Sequence, residues 1–175
     1  MANKGVMWHK DNIGLALATR SGSQVILKEL IKKHYPEASS DFVNTETEWK
    51  PIINVPEIKD LSVTDCSNLD FAVIVRDPVE RFKNSCLRLS CSVEEGLNNL
   101  DNIHFMSLKK MGVLDCVNAK YFPYSDKGLN DCCTYLGLNV TVTLPEDGDM
   151  PTLSQEQIDL IKQAYSYDCE AFSKL

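Results

Sequence analysis

The chain has 175 residues, 43% hydrophobic and 25% charged, which suits one globular domain with one sizeable core. Its formal net charge of -7 and pI of about 4.9 argue against a general nucleic-acid or heparin-like binder, which needs a basic surface. A small anionic ligand is still allowed, because it needs only a local cluster of Arg, Lys and backbone N–H groups.

The first residues, with Lys4, Lys10 and Asp11, are polar and lack the apolar run of a secretory signal. No segment is apolar for long enough to span a membrane, so the expected location is the cytoplasm. Residues 13–18 form a short, nearly continuous apolar run, the pattern of a strand buried on both faces of a parallel sheet. A turn at 19–22 leads into a helix at 23–34, where Val25, Ile26, Leu30 and Ile31 recur at helical spacing until Pro36 ends the pattern. Residues 41–43 suggest a second short strand. Residues 44–68, with Trp49, Pro51 and Pro56, read as a long connection with room for a short helix.

Residues 69–75 (Leu-Asp-Phe-Ala-Val-Ile-Val) are the clearest strand, and Pro78 is placed to open a helix running to about Cys91. Further helices are expected at 93–100 and 103–111, a strand at 115–124, and a helix at 126–136 with Gly137 as its C-cap. An acidic, turn-rich linker at 145–151 precedes a closing helix at 155–174, which Ser154 and Gln157 begin as a capping box. Strands alternating with helices predict a single α/β domain with a mainly parallel central sheet. In such sheets ligands bind beyond the carboxyl ends of the strands. The seven cysteines include no Cys-x-x-Cys pair, so they read as reduced thiols in the core, and no metal is expected. The sequon at Asn139 reads as incidental.

Two segments fall at such carboxyl ends. The first is Thr19, Arg20, Ser21, Gly22, Ser23 and Gln24, which opens a helix. A helix N-terminus offers free N–H groups and partial positive charge, Gly22 permits close backbone approach, and Arg20 adds a full charge. The bland alternative is that Ser23 is an N-cap and Gly22 a turn residue. There is no Gly-Lys-Ser/Thr ending, so this is not an ATP-type phosphate loop. The second segment places Arg76 at the end of the clearest strand, with Asn84 and Ser85 about two turns into the next helix. Arg grips phosphate bidentately, and an amide or hydroxyl adds a donor. Its alternative is a surface network of Arg76 with Asp77 or Glu80 with Arg81.

In this order the two segments resemble the sulfotransferase family, especially its carbohydrate-directed members. Val75-Arg76-Asp77-Pro78-Val79-Glu80-Arg81-Phe82 is similar to the family's strand-to-helix Arg-Asp-Pro motif, and residues 153–172 are similar to its closing helices. The resemblance implies a P-loop-like fold. It also implies 3'-phosphoadenosine 5'-phosphosulfate (PAPS) as donor, 3',5'-bisphosphoadenosine (PAP) as product, no metal, and a carbohydrate or small-molecule acceptor. It places residues 20–24 on the 5'-phosphosulfate, Arg20 in the role of the family's loop lysine, and Arg76 on the 3'-phosphate. Asn84 stands where the family has a serine, with Ser85 beside it. Arg20 keeps the lysine's charge but is bulkier. The chain is also short for the family.

Transfer to a hydroxyl needs a base. Glu46, Glu48 and His104 are the candidates, each with a structural or solvated alternative. Trp49 is placed to stack on an acceptor or to fill the core, and Lys109 and Lys110 to meet an anion or to face solvent. Two other readings stand beside the enzyme. One is a nucleotide-binding module weakened in catalysis; the other is a small kinase, which would need Mg²⁺ and ATP.

Overall fold

Strand β4 (Asp70–Val75) carries two layers of core, one on each side. Phe71, Val73 and Val75 enter one cluster and Ala72 and Ile74 the other, which is the period of two of a strand covered on both faces. The computed structural model describes residues 5–36, 58–61 and 69–175. The strand expected at 41–43, Glu46, Glu48, Trp49 and Cys66 lie outside the described residues.

Strands β2 (Ile13–Ala16) and β5 (Ala119–Pro123) flank β4, and both run parallel to it. Beyond β2 the sheet continues antiparallel. There β1 (Gly5–Lys10) pairs with β2 and with β3 (Ile58–Leu61), so the order is β3-β1-β2-β4-β5. The parallel sheet expected from the alternation of elements is therefore its β2-β4-β5 part. The antiparallel pair corrects the reading of residues 1–12 as a polar lead and of 44–68 as connection alone. Met7 and Trp8 of β1 are buried, but flanking polar residues hide so short an apolar run.

Helix α1 (Ser23–His34) has the expected bounds and buries Ile26, Leu27, Leu30 and Ile31, each worth roughly 1.5–3 kcal/mol. It shares one face of the sheet with α4 (Asp126–Tyr135), whose Leu129, Cys132 and Cys133 join the same cluster. The Cys132-Cys133 pair thus fills core, and both are free thiols, as are Cys86, Cys91 and Cys169. Gly128 of α4 lies so close to β5 that a Cβ there would sit 1.9 Å from the Pro123 carbonyl oxygen.

Helix α2 (Pro78–Leu89) starts on local chemistry: Pro78 opens it, and the Asp77 carboxylate accepts from the N–H groups of Val79 (2.9 Å) and Glu80 (3.0 Å). With α3 (Val93–Leu97) and α5 (Gln155–Ala164) it encloses Phe82, Cys86, Phe105, Ile161 and Tyr165. The capping box of Ser154 and Gln157 forms as expected.

The helix expected at 103–111 does not form; the segment is a strap of turns. Side chains from elsewhere take its backbone groups. Thr19 Oγ1 donates to Ile103 O (2.9 Å), Ser85 Oγ to His104 O (2.6 Å), Tyr165 to Phe105 O and Arg81 Nη2 to Met106 O (2.6 Å). Asp168 accepts from Leu108 N (2.8 Å) and Lys109 N (3.4 Å). The strap lays Leu108 and Met111 on the second face of the sheet, beside Phe172 of α6 (Ser166–Ser173). The closing helix expected at 155–174 is accordingly two helices: α5 ends at Ala164, and Tyr165 and Asp168 turn inward to hold the strap. A 3-10 turn at Val113–Asp115 delays β5 to Ala119 and leaves Val117 exposed. No helix among the described residues is long and apolar enough to cross a membrane.

Candidate functional site

The parallel strands end at Ala16, Val75 and Pro123, and the residues that follow each one meet at a cleft of about 570 Å³. Arg20, Gly22, Ser23 and Gln24 line it after β2, Arg76 after β4 and Tyr124 after β5. Helix α1 adds Lys28. Helix α2 adds Asn84, Leu87 and Arg88, and Ser90 follows it, while residues 145–148 complete the lining. Four cations thus face two carboxylates, Glu146 and Asp147, in a chain whose net charge is -7. This local excess suits an anion.

The loop before α1 is closed by its own hydroxyls. Ser21 Oγ and Ser23 Oγ both donate to Ala18 O, at 2.7 and 3.0 Å, and Thr19 is tied to the strap. Their hydroxyls are therefore directed onto carbonyls, and Thr19 and Ser21 do not line the cleft. Gly22 stands at the N-cap with φ 80° and no side chain caps the first turn of α1; Val25 N–H donates to Gly22 O (3.1 Å), and residues 22–25 line the cleft. Arg20 holds a left-handed backbone (φ 59°), and its Nε is buried without a partner. Burial, then Arg88 and Arg76, lower the Arg20 guanidinium from its ordinary value. An anion in the cleft would offset these crowded charges.

Arg76 is the most enclosed cation of the cleft. Its Nη2 meets Asp147 Oδ2 at 2.6 Å, its Nη1 donates to Arg20 O at 3.4 Å, and its guanidinium lies 4.4 Å from the Tyr124 ring centroid. Asn84 Nδ2 donates to the other oxygen of the same carboxylate at 2.8 Å. The sequence alternatives for this segment do not form: Arg76 pairs with Asp147, Arg81 with Asp168 and Glu80 with Lys83. Ser85 lies outside the cleft wall, and its hydroxyl donates to Arg81 O (3.1 Å) and His104 O.

His104 sits behind the loop. Burial, followed by the charges of Arg20 and Arg88, lowers its imidazole from the ordinary value, and its Nδ1 is buried without a partner. The lowered value keeps the imidazole neutral at neutral pH, and His104 does not line the cleft. Lys109 and Lys110 do not line the cleft; they pair with Asp115 and Asp101.

Sequence reasoning missed Lys28, Arg88, Tyr124 and Asp147. Lys28 lies four residues after Gln24 and Arg88 four after Asn84, so helical spacing was the available signal for both. Nothing local marks Asp147. No protein-family model, no curated protein and no solved structure matches the chain.

Proposed function

We propose that the cleft binds a 3'-phosphorylated adenine nucleotide and that the chain is a PAPS-dependent sulfotransferase with a small P-loop-like fold, acting on a hydroxyl or amine of a carbohydrate or small molecule. The supporting observation is the convergence of Arg76 and Asn84 on one anion, Asp147, in the same cleft that Arg20 and the uncapped start of α1 line. In this reading the donor's 3'-phosphate takes the anion seat of Arg76 and Asn84, and its 5'-phosphosulfate lies against Arg20 and the first turn of α1.

The chemistry then divides among this chain's residues. The acceptor oxygen or nitrogen forms a bond to sulfur as the bond from sulfur to the bridging oxygen breaks. Arg20 offsets the charge that develops on that oxygen, a contribution made mainly in the transition state. His104, held neutral by burial and by the nearby Arg20 and Arg88, stands behind the cleft lining and is the candidate among the described residues to receive the acceptor's proton. Glu46 and Glu48 are the other candidates.

Calorimetric titration of PAP into the wild type and Arg76→Ala, without metal, tests the binding reading. Binding by the wild type should weaken by about 2–5 kcal/mol in the variant, the range for losing one partner of a buried, hydrogen-bonded charge pair. A folded wild type that does not bind PAP overturns the donor. A protein that binds PAP but releases none from PAPS with any acceptor supports the second reading, a nucleotide-binding module.

A further inference from the structure

We infer that Asp147 sets how strongly the cleft prefers a 3'-phosphorylated nucleotide, because this tethered carboxylate occupies the seat that the phosphate must take. The inference rests on the nucleotide reading above. Each Asp147 oxygen accepts from one donor, Arg76 Nη2 at 2.6 Å and Asn84 Nδ2 at 2.8 Å. That is how a phosphate would be held by the same pair. The Arg76 side chain is 5% exposed, so leaving its guanidinium without an anion is costly; the Asp147 side chain is 31% exposed and is the partner that can return to water.

The segment that carries Asp147 is suited to the exchange. It is fixed on one side at Leu144, whose N–H donates to Asp126 Oδ1 (2.7 Å), and on the other at the Ser154 capping box. Between them the chain has neither helix nor strand and rests on α2, where a Cβ on Gly148 would lie 3.1 Å from Leu87. A phosphate arriving at Arg76 displaces the carboxylate without breaking regular structure. The apparent affinity for a 3'-phosphate is then its intrinsic affinity multiplied by the fraction of time the seat is open. A ligand without that phosphate binds beside the seated carboxylate and is not penalised. Asp147 therefore narrows the difference between the two ligand classes.

The experiment is titration of the wild type and Asp147→Asn with PAP and with adenosine 5'-monophosphate, with folding verified by thermal melts and Asp147→Ala as a second variant. The expected result is PAP binding about tenfold tighter in both variants, as for a seat open about a tenth of the time, with the monophosphate affinity almost unchanged. The gain should vanish in an Arg76→Ala background. An equal gain for both ligands overturns the inference in favour of a general charge effect. Unchanged or weaker PAP binding, with the wild type binding, overturns it while the nucleotide reading stands. PAP bound by neither protein overturns the nucleotide reading and this inference with it.

Discussion

The buried pair of Arg81 and Asp168 holds the strap to the rest of the domain, and breaking it should be among the costliest single changes in the chain. The two side chains are 4% and 2% exposed and their charged atoms lie 3.7 Å apart. At that separation, with an effective dielectric constant near 20, the attraction is about 4 kcal/mol. Asp168→Asn removes the charge at nearly constant shape. It leaves a buried guanidinium, already with Nη1 unpartnered, facing a neutral amide. Burial already opposes the Asp168 charge, so the expected loss comes from the acceptor taken from the Leu108 and Lys109 N–H groups and from the unpaired guanidinium, about 1–3 kcal/mol. For a domain of this size that lowers the melting temperature by roughly 2–12 °C.

Arg81→Met should be milder, because a carboxyl can take up a proton and a guanidinium cannot shed one. Burial already pushes Asp168 above the usual carboxylate range, against the pull of Arg81 and of the Leu108 and Lys109 N–H groups. A carboxyl raised in the fold is best tolerated at low pH and loses stability as pH rises through its folded pKa. The deficit of Arg81→Met should therefore shrink on acidification, whereas that of Asp168→Asn should not. Denaturant unfolding of the three proteins at neutral and mildly acid pH reads these differences. A loss below about 1 kcal/mol for Asp168→Asn, or Arg81→Met as the worse variant, would refute the reasoning.

Gly22→Ala should cost about 1–2 kcal/mol, since φ 80° is a left-handed backbone and the new Cβ would sit 3.0 Å from the Tyr124 ring. The displaced ring carries Arg76, so PAP affinity should fall with it; an unchanged melting temperature would contradict the left-handed turn. His104 provides a pH signature. Its folded pKa is lowered, so its contribution to stability is fully present above the ordinary imidazole value and is lost as pH falls through the lower folded value. Relative to His104→Gln, the wild type should lose stability as pH is lowered from about 8 to about 5, and parallel curves would count against a buried neutral imidazole.

By itself the sequence determined those features that neighbouring residues decide together. The bounds of α1, the Asp77-Pro78 start of α2 and the Ser154 capping box were all readable, because helical periodicity and capping act within a few positions. The β4 run and its following Arg76 were readable for the same reason. The tertiary structure decided the rest. The spacing of 103–111 is helical, yet side chains from positions 19, 81, 85, 165 and 168 take its backbone groups and hold it as a strap. Likewise β3 exists only as the partner of β1. The anion seat joins Arg76 and Asn84 to a carboxylate 71 and 63 residues away, in a segment that reads from sequence only as an acidic, turn-rich linker. Such pairings follow from which chain ends the sheet brings together, and no local pattern of residues encodes that meeting.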